Sequence, residues 1–276
     1  MLNIIVCLKQ VPMVTELPWD EKSGRLRRDL AAGMLNPACK HALEAALQIK
    51  EKYGANVTAV TMGPYAAEEV LHEALAMGAN RGILISDKRL GGADTFATSL
   101  VLATAIKKEC PHYDLILCGT YSSDSETAQV GPQLAEELDL PATAYAENLE
   151  IKNRTLRVRR LVDNFRETLE MEFPALVTIS MERYLPRYTS LAGLGNAFAE
   201  GNISVYDAGA LGISDKTIER FSRTRVRKVY LRDARKENDV FTGTAALVVN
   251  EFLNKYENRI SAAIGKTIES EKANHE

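Results

Sequence analysis

The sequence predicts an α/β protein built on a parallel sheet, with an antiparallel hairpin extension and a C-terminal arm. Short continuous apolar runs, such as residues 4–8, are typical of strands buried on both faces. Through residue 145 they alternate with stretches of helical period, which indicates right-handed βαβ units. After Pro141 the apolar residues follow a two-residue period, which predicts antiparallel strands. From residue 182 the periodic pattern fades and glycines become frequent, which predicts an irregular arm.

The predicted elements follow one another along the chain. Strands are expected at residues 2–8, 57–61, 82–86 and 114–118. Helices are expected at about 36–54, 64–78, 94–108 and 129–138. The first helix has Asn36 as a suitable N-cap and Pro37 at its first position. Hairpin strands are expected within 149–162 and 165–173, another buried strand at 175–180, and a last helix at about 240–256.

Composition argues against several classes of protein. The 34 basic and 37 acidic residues give a net charge of −3, so no broad basic surface for nucleic acid is expected. No run of about 18 apolar residues occurs, so no membrane span is expected. The first strand has no basic leader before it. Four cysteines without CxxC spacing predict free thiols in a reducing cytoplasm, and no residues have the spacing of a zinc site.

Ligands of an open parallel sheet bind at the carboxyl ends of its strands. The loop after the fourth strand, residues 119–132, is rich in serine, threonine and acidic residues and has almost nothing to bury. Small hydroxyl residues before a helix favour a phosphate site, although a solvated loop with redundant helix caps is the alternative. The Gly91-Gly92 pair lacks GxGxxG spacing, so it favours a turn with Asp94 or Thr95 capping the next helix.

Several segments, in the same order, resemble the β subunits of electron transfer flavoproteins. The run LILCGTYSSDSETAQVGPQLAEELDLP, residues 115–141, resembles their signature, and LKQVP at 8–12 resembles their opening strand. Two further segments of these subunits are matched by NPAC followed by ALE and by ALAMGA. PRY through Leu191 resembles the loop that docks on dehydrogenases. The likeness covers about residues 1–215. Met13 in place of Asp, SSDSET in place of AIDGDT and a longer tail depart from the family pattern.

The resemblance implies a Rossmann-like sheet of the adenine nucleotide α-hydrolase type. It implies a nucleotide-binding domain at 1–185, followed at 186–276 by a partner-docking loop, an extended arm and a C-terminal helix. The implied nucleotide contacts are Cys7, Leu8, Asn36, Cys39, Met62, Gly119, Thr120, Tyr121, Ser122, Ser123, Asp124, Thr127, Gln129, Val130 and Gly131. GADTFAT at 92–98 looks like the bifurcating or fix-type members, which adds Asp94, Thr95 and Thr98 and favours FAD over AMP.

The function implied by the resemblance is electron transfer within an NAD-linked oxidoreductase complex. Such a subunit accepts hydride from NADH on its FAD, and passes electrons to ferredoxin and to the flavin of an α-subunit partner. A flavin-dependent dehydrogenase would dock on Arg187, Tyr188 and Leu191. The redox chemistry belongs to the cofactor, so no residue of the chain is expected to act as a catalytic acid or base.

Three other functions stay open. A simple electron-transfer subunit would hold a structural AMP instead of FAD. A nucleotide-binding stress or regulatory protein would use the same sheet, but it would not need the long arm or the docking loop. An ATP-dependent ligase or sulfurtransferase would need a glycine-rich loop after the first strand, where this chain has LKQVP and Pro12 lacks an N–H.

Overall fold

The computed structural model describes residues 1–13, 19–20, 25–26, 32–198, 201–215, 217–218, 222–224 and 239–264. By internal contacts the chain forms two units, Met1–Val229 and Tyr230–Glu276. The strands are β1 (Leu2–Leu8), β2 (Gln10–Pro12), β3 (Trp19–Asp20), β4 (Arg25–Leu26), β5 (Gly33–Leu35), β6 (Ala55–Met62), β7 (Arg81–Ile85), β8 (Leu115–Gly119), β9 (Ala142–Lys152), β10 (Thr155–Val162), β11 (Phe165–Glu172), β12 (Ala175–Ile179) and β13 (Ile203–Tyr206). The helices are α1 (Pro37–Tyr53), α2 (Glu68–Met77), α3 (Thr95–Glu109), α4 (Val130–Glu137), α5 (Leu191–Ala197) and α6 (Ala245–Ile264).

The first unit is organised around one mostly parallel sheet, which confirms the predicted fold class. Among the described residues the strand order is β11-β10-β9-β12-β8-β1-β6-β7-β13. The central strands pair in parallel, and β9, β10 and β11 form the predicted antiparallel extension at one edge. Strand β12 lies between β8 and β9, parallel to both. Two short antiparallel pairs, β2 with β5 and β3 with β4, lie outside this sheet.

Strand β13 at the other edge was not predicted from the sequence. It pairs in parallel with β7, with Ile203 opposite Gly82 and Tyr206 opposite Ile85. This strand has only four residues, and they are only half-buried. A segment this short, surrounded by glycines, cannot show a two-residue period in the sequence. Part of the expected irregular arm therefore extends the sheet.

Helices cover both faces of the sheet and create two apolar cores. One core joins α1, α2 and α5 to the strands, and the other joins α3 and α4 to the opposite face. The central strand β1 contributes to both, with Ile4 and Val6 in one core and Ile5 and Cys7 in the other. Burial on both faces explains the continuous apolar runs of the sequence.

The second unit contains α6, which begins later and ends later than the predicted helix at 240–256. Phe241 packs edge-on against Phe252 and Tyr256, with ring centroids 5.9 and 6.5 Å apart. Nowhere in the described ranges is a helix both long and apolar enough to cross a membrane.

Candidate functional site

The strand order changes direction beside β1, and this is where a ligand crevice is expected. From β1 the chain builds outward through β6 and β7, and then returns to the other side of β1 as β8. Cys7 near the end of β1 lies opposite Cys118 near the end of β8. Open α/β sheets bind ligands at the carboxyl ends of strands at such a switch point. Ten of the 18 predicted contacts lie in residues 119–131, from the end of β8 to the start of α4, and the loop after β1 meets this segment through Lys9.

Asn36 ties the start of α1 to the loop after β8. Its Nδ2 donates to the carbonyl of Tyr121 at 2.8 Å, and its Oδ1 accepts from the backbone N–H of Ser123 at 3.0 Å. Nδ2 also contacts Cys39 Sγ at 3.3 Å. Asn36 precedes α1 as predicted, but its side chain makes no capping bond to that helix. The side chain, only 1% exposed, instead fixes the loop that carries the predicted phosphate contacts.

Lys9 makes a second link between the loops after β1 and β8, and it is not among the site residues predicted from the sequence. Its Nζ donates to Asp124 Oδ1 at 2.7 Å and to Ser122 Oγ at 3.1 Å. Ser122 Oγ is also 2.9 Å from Ser125 Oγ. The sequence signal for this ion pair is a basic residue directly after the first predicted strand and an acidic residue in the loop after the fourth. Lys9 places a positive charge beside the polar loop.

Two glycines allow the loop and its flanking elements to approach each other. A Cβ on Gly119 would lie 2.6 Å from the carbonyl carbon of Ala38 and 2.7 Å from the N–H of Cys39. A Cβ on Gly131 would lie 2.7 Å from Cγ2 of Thr178. The end of β8 therefore touches the first turn of α1, which only glycine permits. These contacts bring Gly119, Cys39 and Asn36 together, whereas their contact with a nucleotide stays a prediction.

Three thiols form the floor of this region. Cys7, Cys39 and Cys118 are buried and free of disulfides. A hydrogen bond with Cys7, together with burial, holds the pKa of the Cys118 thiol well above its usual value. Burial also raises the pKa of Cys39. The Cys39 and Cys118 thiols are therefore protonated at neutral pH and are not nucleophiles.

The start of α4 fits an anion. No side chain caps its N-terminus in the described part of the chain, so the N–H groups of Val130 and Gly131 have no side-chain partner, while Pro132 has no N–H. In the preceding loop, Glu126 (φ 50°) and Ala128 (φ 56°) have left-handed backbone. Such turns can direct N–H groups into an anion-binding concavity, but the Glu126 N–H already donates to the carbonyl of Ser122 at 2.8 Å. An uncapped helix behind a polar loop is consistent with a phosphate group at this position.

The loop before α3 is connected to the same region. Thr95 Oγ1 donates to Gln129 Oε1 at 3.0 Å, which joins the start of α3 to the start of α4. Asp94 caps α3 by accepting from the N–H of Ala97 at 2.9 Å, so of the two predicted caps, Asp94 and Thr95, the structure has the first. Thr98 Oγ1 donates back to the carbonyl of Asp94 at 2.8 Å.

Asp94 also holds a segment near the end of the first unit. Its Oδ2 accepts from the N–H groups of Arg223 at 2.7 Å and Thr224 at 2.8 Å. The Arg223 guanidinium lies over the ring of Phe96, 5.2 Å from its centroid. Burial raises the pKa of Asp94, but the hydrogen bonds from Ala97, Thr224 and Arg223 outweigh it, and the net shift is downward. The Asp94 carboxylate is thus engaged within the chain, and its direct contact with a cofactor stays a prediction.

The remaining predicted contacts lie at different depths. Leu8 packs in the core with α1, and Met62 ends the neighbouring strand β6 and packs against the other core. Thr120 is buried, and its hydroxyl donates to the carbonyl of Ile179 at 3.3 Å. Thr127 is exposed at the outer part of the loop. Val130 is the first residue of α4.

The predicted docking residues follow β12 in the chain. Tyr188 is 99% exposed and Leu191 is 87% exposed. Arg187 instead turns back to α1, where it contacts Glu44 and Glu51. In the described ranges, no three histidine, cysteine or acidic side chains are arranged to hold a metal ion.

Comparison with known proteins gives one consistent family. Residues 26–211 match the model of the electron transfer flavoprotein domain. The chain is 37% identical over 259 residues to an electron transfer flavoprotein subunit beta of Thermoanaerobacterium thermosaccharolyticum, covering 94% of this chain and 99% of the relative. It is 40% identical over 252 residues to the caffeyl-CoA reductase-Etf complex subunit CarD of Acetobacterium woodii, covering 91% and 94%. It is 39% identical over 201 residues to the acryloyl-CoA reductase electron transfer subunit gamma of Anaerotignum propionicum, covering 72% and 75%.

Proposed function

Since the chain belongs to the electron transfer flavoprotein family, with the function of its β subunit, we propose that it binds FAD and takes part in electron bifurcation from NADH. The observation that carries the proposal is the tie between Asn36 and the loop after β8, beside the uncapped start of α4. That arrangement supports a nucleotide phosphate at the switch point of the sheet.

The choice of FAD over AMP rests on the segment before α3. GADTFAT at 92–98 resembles bifurcating members, and Thr95 bonds to Gln129 at the start of α4. The nucleotide site therefore extends from the loop after β8 toward α3, which favours a ligand longer than AMP. CarD, a subunit of a caffeyl-CoA reductase-Etf complex, is 40% identical to this chain.

The residues of the chain would bind and orient the nucleotide. Asn36 and Gly119 fix the polar loop, and the N–H groups at the start of α4 meet the phosphates. Lys9 contributes a positive charge, and the buried side chains of Cys7 and Cys118 would exclude water from beneath the nucleotide. When bound, FAD would accept a hydride from NADH and pass single electrons to ferredoxin and to the α-subunit flavin.

The proposed assembly is a cytoplasmic heterodimer with an electron transfer flavoprotein α subunit. The names of two relatives contain caffeyl-CoA reductase and acryloyl-CoA reductase. They support a flavin-dependent acyl-CoA reductase or dehydrogenase as the docking partner, in contact with Tyr188 and Leu191. The division into a nucleotide-binding domain at 1–185 and a docking and arm region at 186–276 is part of the same proposal.

The test is the nucleotide content of the heterodimer after co-expression with the α partner. Flavin and AMP are released by denaturation and quantified in the same extract. Two FAD and no AMP per heterodimer, with reduction by NADH, is the expected result. One FAD and one AMP would contradict bifurcation and leave a simple electron carrier. No nucleotide beyond that of the α subunit would contradict a nucleotide site in this chain.

A further inference from the structure

The exposed segment after β12 is fixed to the body of the protein at both ends. Between residues 183 and 198, Leu185, Tyr188 and Leu191 are all at least 79% exposed, yet the residues around them make specific contacts. An apolar segment that faces solvent in an ordered shape can bind a partner without losing much entropy.

The first anchor is an ion pair with a buried carboxylate. Arg187 Nε donates to Glu44 Oε2 at 2.8 Å, Nη2 donates to Glu44 Oε1 at 3.0 Å, and Nη1 donates to Glu51. The Arg187 backbone N–H also faces Glu44 Oε2, at 3.3 Å. The Glu44 side chain is only 5% exposed, and Gln48 donates to it at 2.9 Å. This two-pronged geometry is specific to arginine and sets the direction of the chain.

Two neighbouring contacts support this anchor. His41 Nδ1 is 2.7 Å from the carbonyl of Arg183, so the ring nitrogen donates there. The Tyr184 hydroxyl accepts from the backbone N–H of Leu149 at 2.7 Å, and burial raises the pKa of Tyr184 to about 12. Because His41, Glu44, Gln48 and Glu51 recur at intervals of three and four, one face of α1 holds the segment.

The second anchor lies at the end of α5, beyond the exposed residues. His72 on α2 stacks on Phe198, with ring centroids 4.3 Å apart, and its Nδ1 donates to the carbonyl of Ala197 at 2.9 Å. A Cβ on Gly193 would lie 2.2 Å from the carbonyl oxygen of Ala76, so α5 touches the end of α2. Tyr188 and Leu191 thus lie between two fixed points.

We infer that Arg187 is a positioning residue that presents Tyr188 and Leu191 to the dehydrogenase, and not a residue that contacts the dehydrogenase itself. The inference rests on the proposed docking function for its partner, while the clamp between Arg187 and Glu44 is a property of this chain alone. It changes the role predicted for Arg187 from the sequence and adds Glu44, which no motif had assigned.

The experiment compares the heterodimer with four variants: Glu44→Gln, Arg187→Met, the double variant and the control Glu170→Gln. The control weakens an exposed ion pair, between Arg157 and Glu170 at 3.5 Å, on the outer hairpin. The first readout is the rate of chymotrypsin cleavage after Tyr188. The second is electron transfer to purified caffeyl-CoA reductase, with KM for the heterodimer and kcat measured separately.

Glu44→Gln and Arg187→Met are each expected to raise the cleavage rate and KM about tenfold, because the open segment becomes more populated. The kcat and the nucleotide content should stay within about twofold of the wild type. The double variant should be no worse than Arg187→Met, which already removes the contacts of Arg187 with both Glu44 and Glu51. The control should behave like the wild type.

Two results would overturn the inference. A higher KM in Arg187→Met, with the rate of cleavage after Tyr188 unchanged, would show that Arg187 contacts the partner directly. Unchanged cleavage in both variants would show that the clamp does not order the segment. If the wild type passes no electrons to the reductase, the proposed docking function fails, whereas the cleavage rates still decide the clamp.

Discussion

Replacing Asn36 by alanine removes the side chain that fixes the loop after β8. The substitution deletes the bonds to the carbonyl of Tyr121 and the N–H of Ser123, at 2.8 and 3.0 Å. Both hydrogen bonds are only partly buried, so the freed backbone groups can bind water and each lost bond is counted at about 1 kcal/mol. The total of about 2 kcal/mol corresponds to a roughly 30-fold weaker affinity for the nucleotide if loop order is required for binding.

The assay is nucleotide binding by the co-expressed heterodimer. The nucleotide is removed, the protein is titrated with FAD or AMP, and Kd is obtained from fluorescence or calorimetry. Asn36→Asp is the matched variant, because a carboxylate accepts from Ser123 but cannot donate to Tyr121. Asn148→Ala, which removes a bond to Glu150 on the outer hairpin, is the control. A Kd for Asn36→Ala within twofold of the wild type would refute the role of Asn36.

Three further predictions test the neighbouring contacts. Gly119→Ala should destabilise the protein by about 2–3 kcal/mol, because its Cβ would lie 2.6 Å from Ala38 backbone; an unchanged denaturation midpoint would contradict this. Asp94→Asn should speed hydrogen exchange at the Thr224 amide about tenfold, since that N–H donates to the carboxylate; equal exchange would show that the bond does not hold the segment. Although burial raises the pKa of Glu44, hydrogen bonds from Arg187 and Gln48 lower it on balance, so its contribution to stability is present at neutral pH and lost as pH falls through the folded-state pKa. The stability gap between wild type and Glu44→Gln should therefore shrink below the usual glutamate range, and a gap independent of pH would oppose this.

The fold was largely predictable because buried strands and helices place apolar residues at regular intervals in the sequence. Strands such as β1 are apolar on both faces, and α1 starts at Pro37 and ends before Gly54, whose φ is 71°. The order of the strands was not predictable, since β12 inserts between β8 and β9 by contacts far apart in sequence. Strand β13 was missed because four half-buried residues form too short a pattern.

The candidate site was only partly predictable for a related reason. The chemistry of the loop after β8 is visible in its serines, threonines and acids, and the capping role of Asp94 follows from its position. The roles of Lys9 and Glu44 depend on partners more than 100 residues away. Sequence motifs predict which loops form the site, whereas the contacts between those loops are visible only in the folded structure.

The most direct test of the central proposal is the number of FAD molecules released from the heterodimer, measured together with AMP. Two FAD, no AMP and reduction of both flavins by NADH are predicted if this chain holds the bifurcating flavin at the switch point beside Asn36. One FAD with one AMP would contradict that proposal.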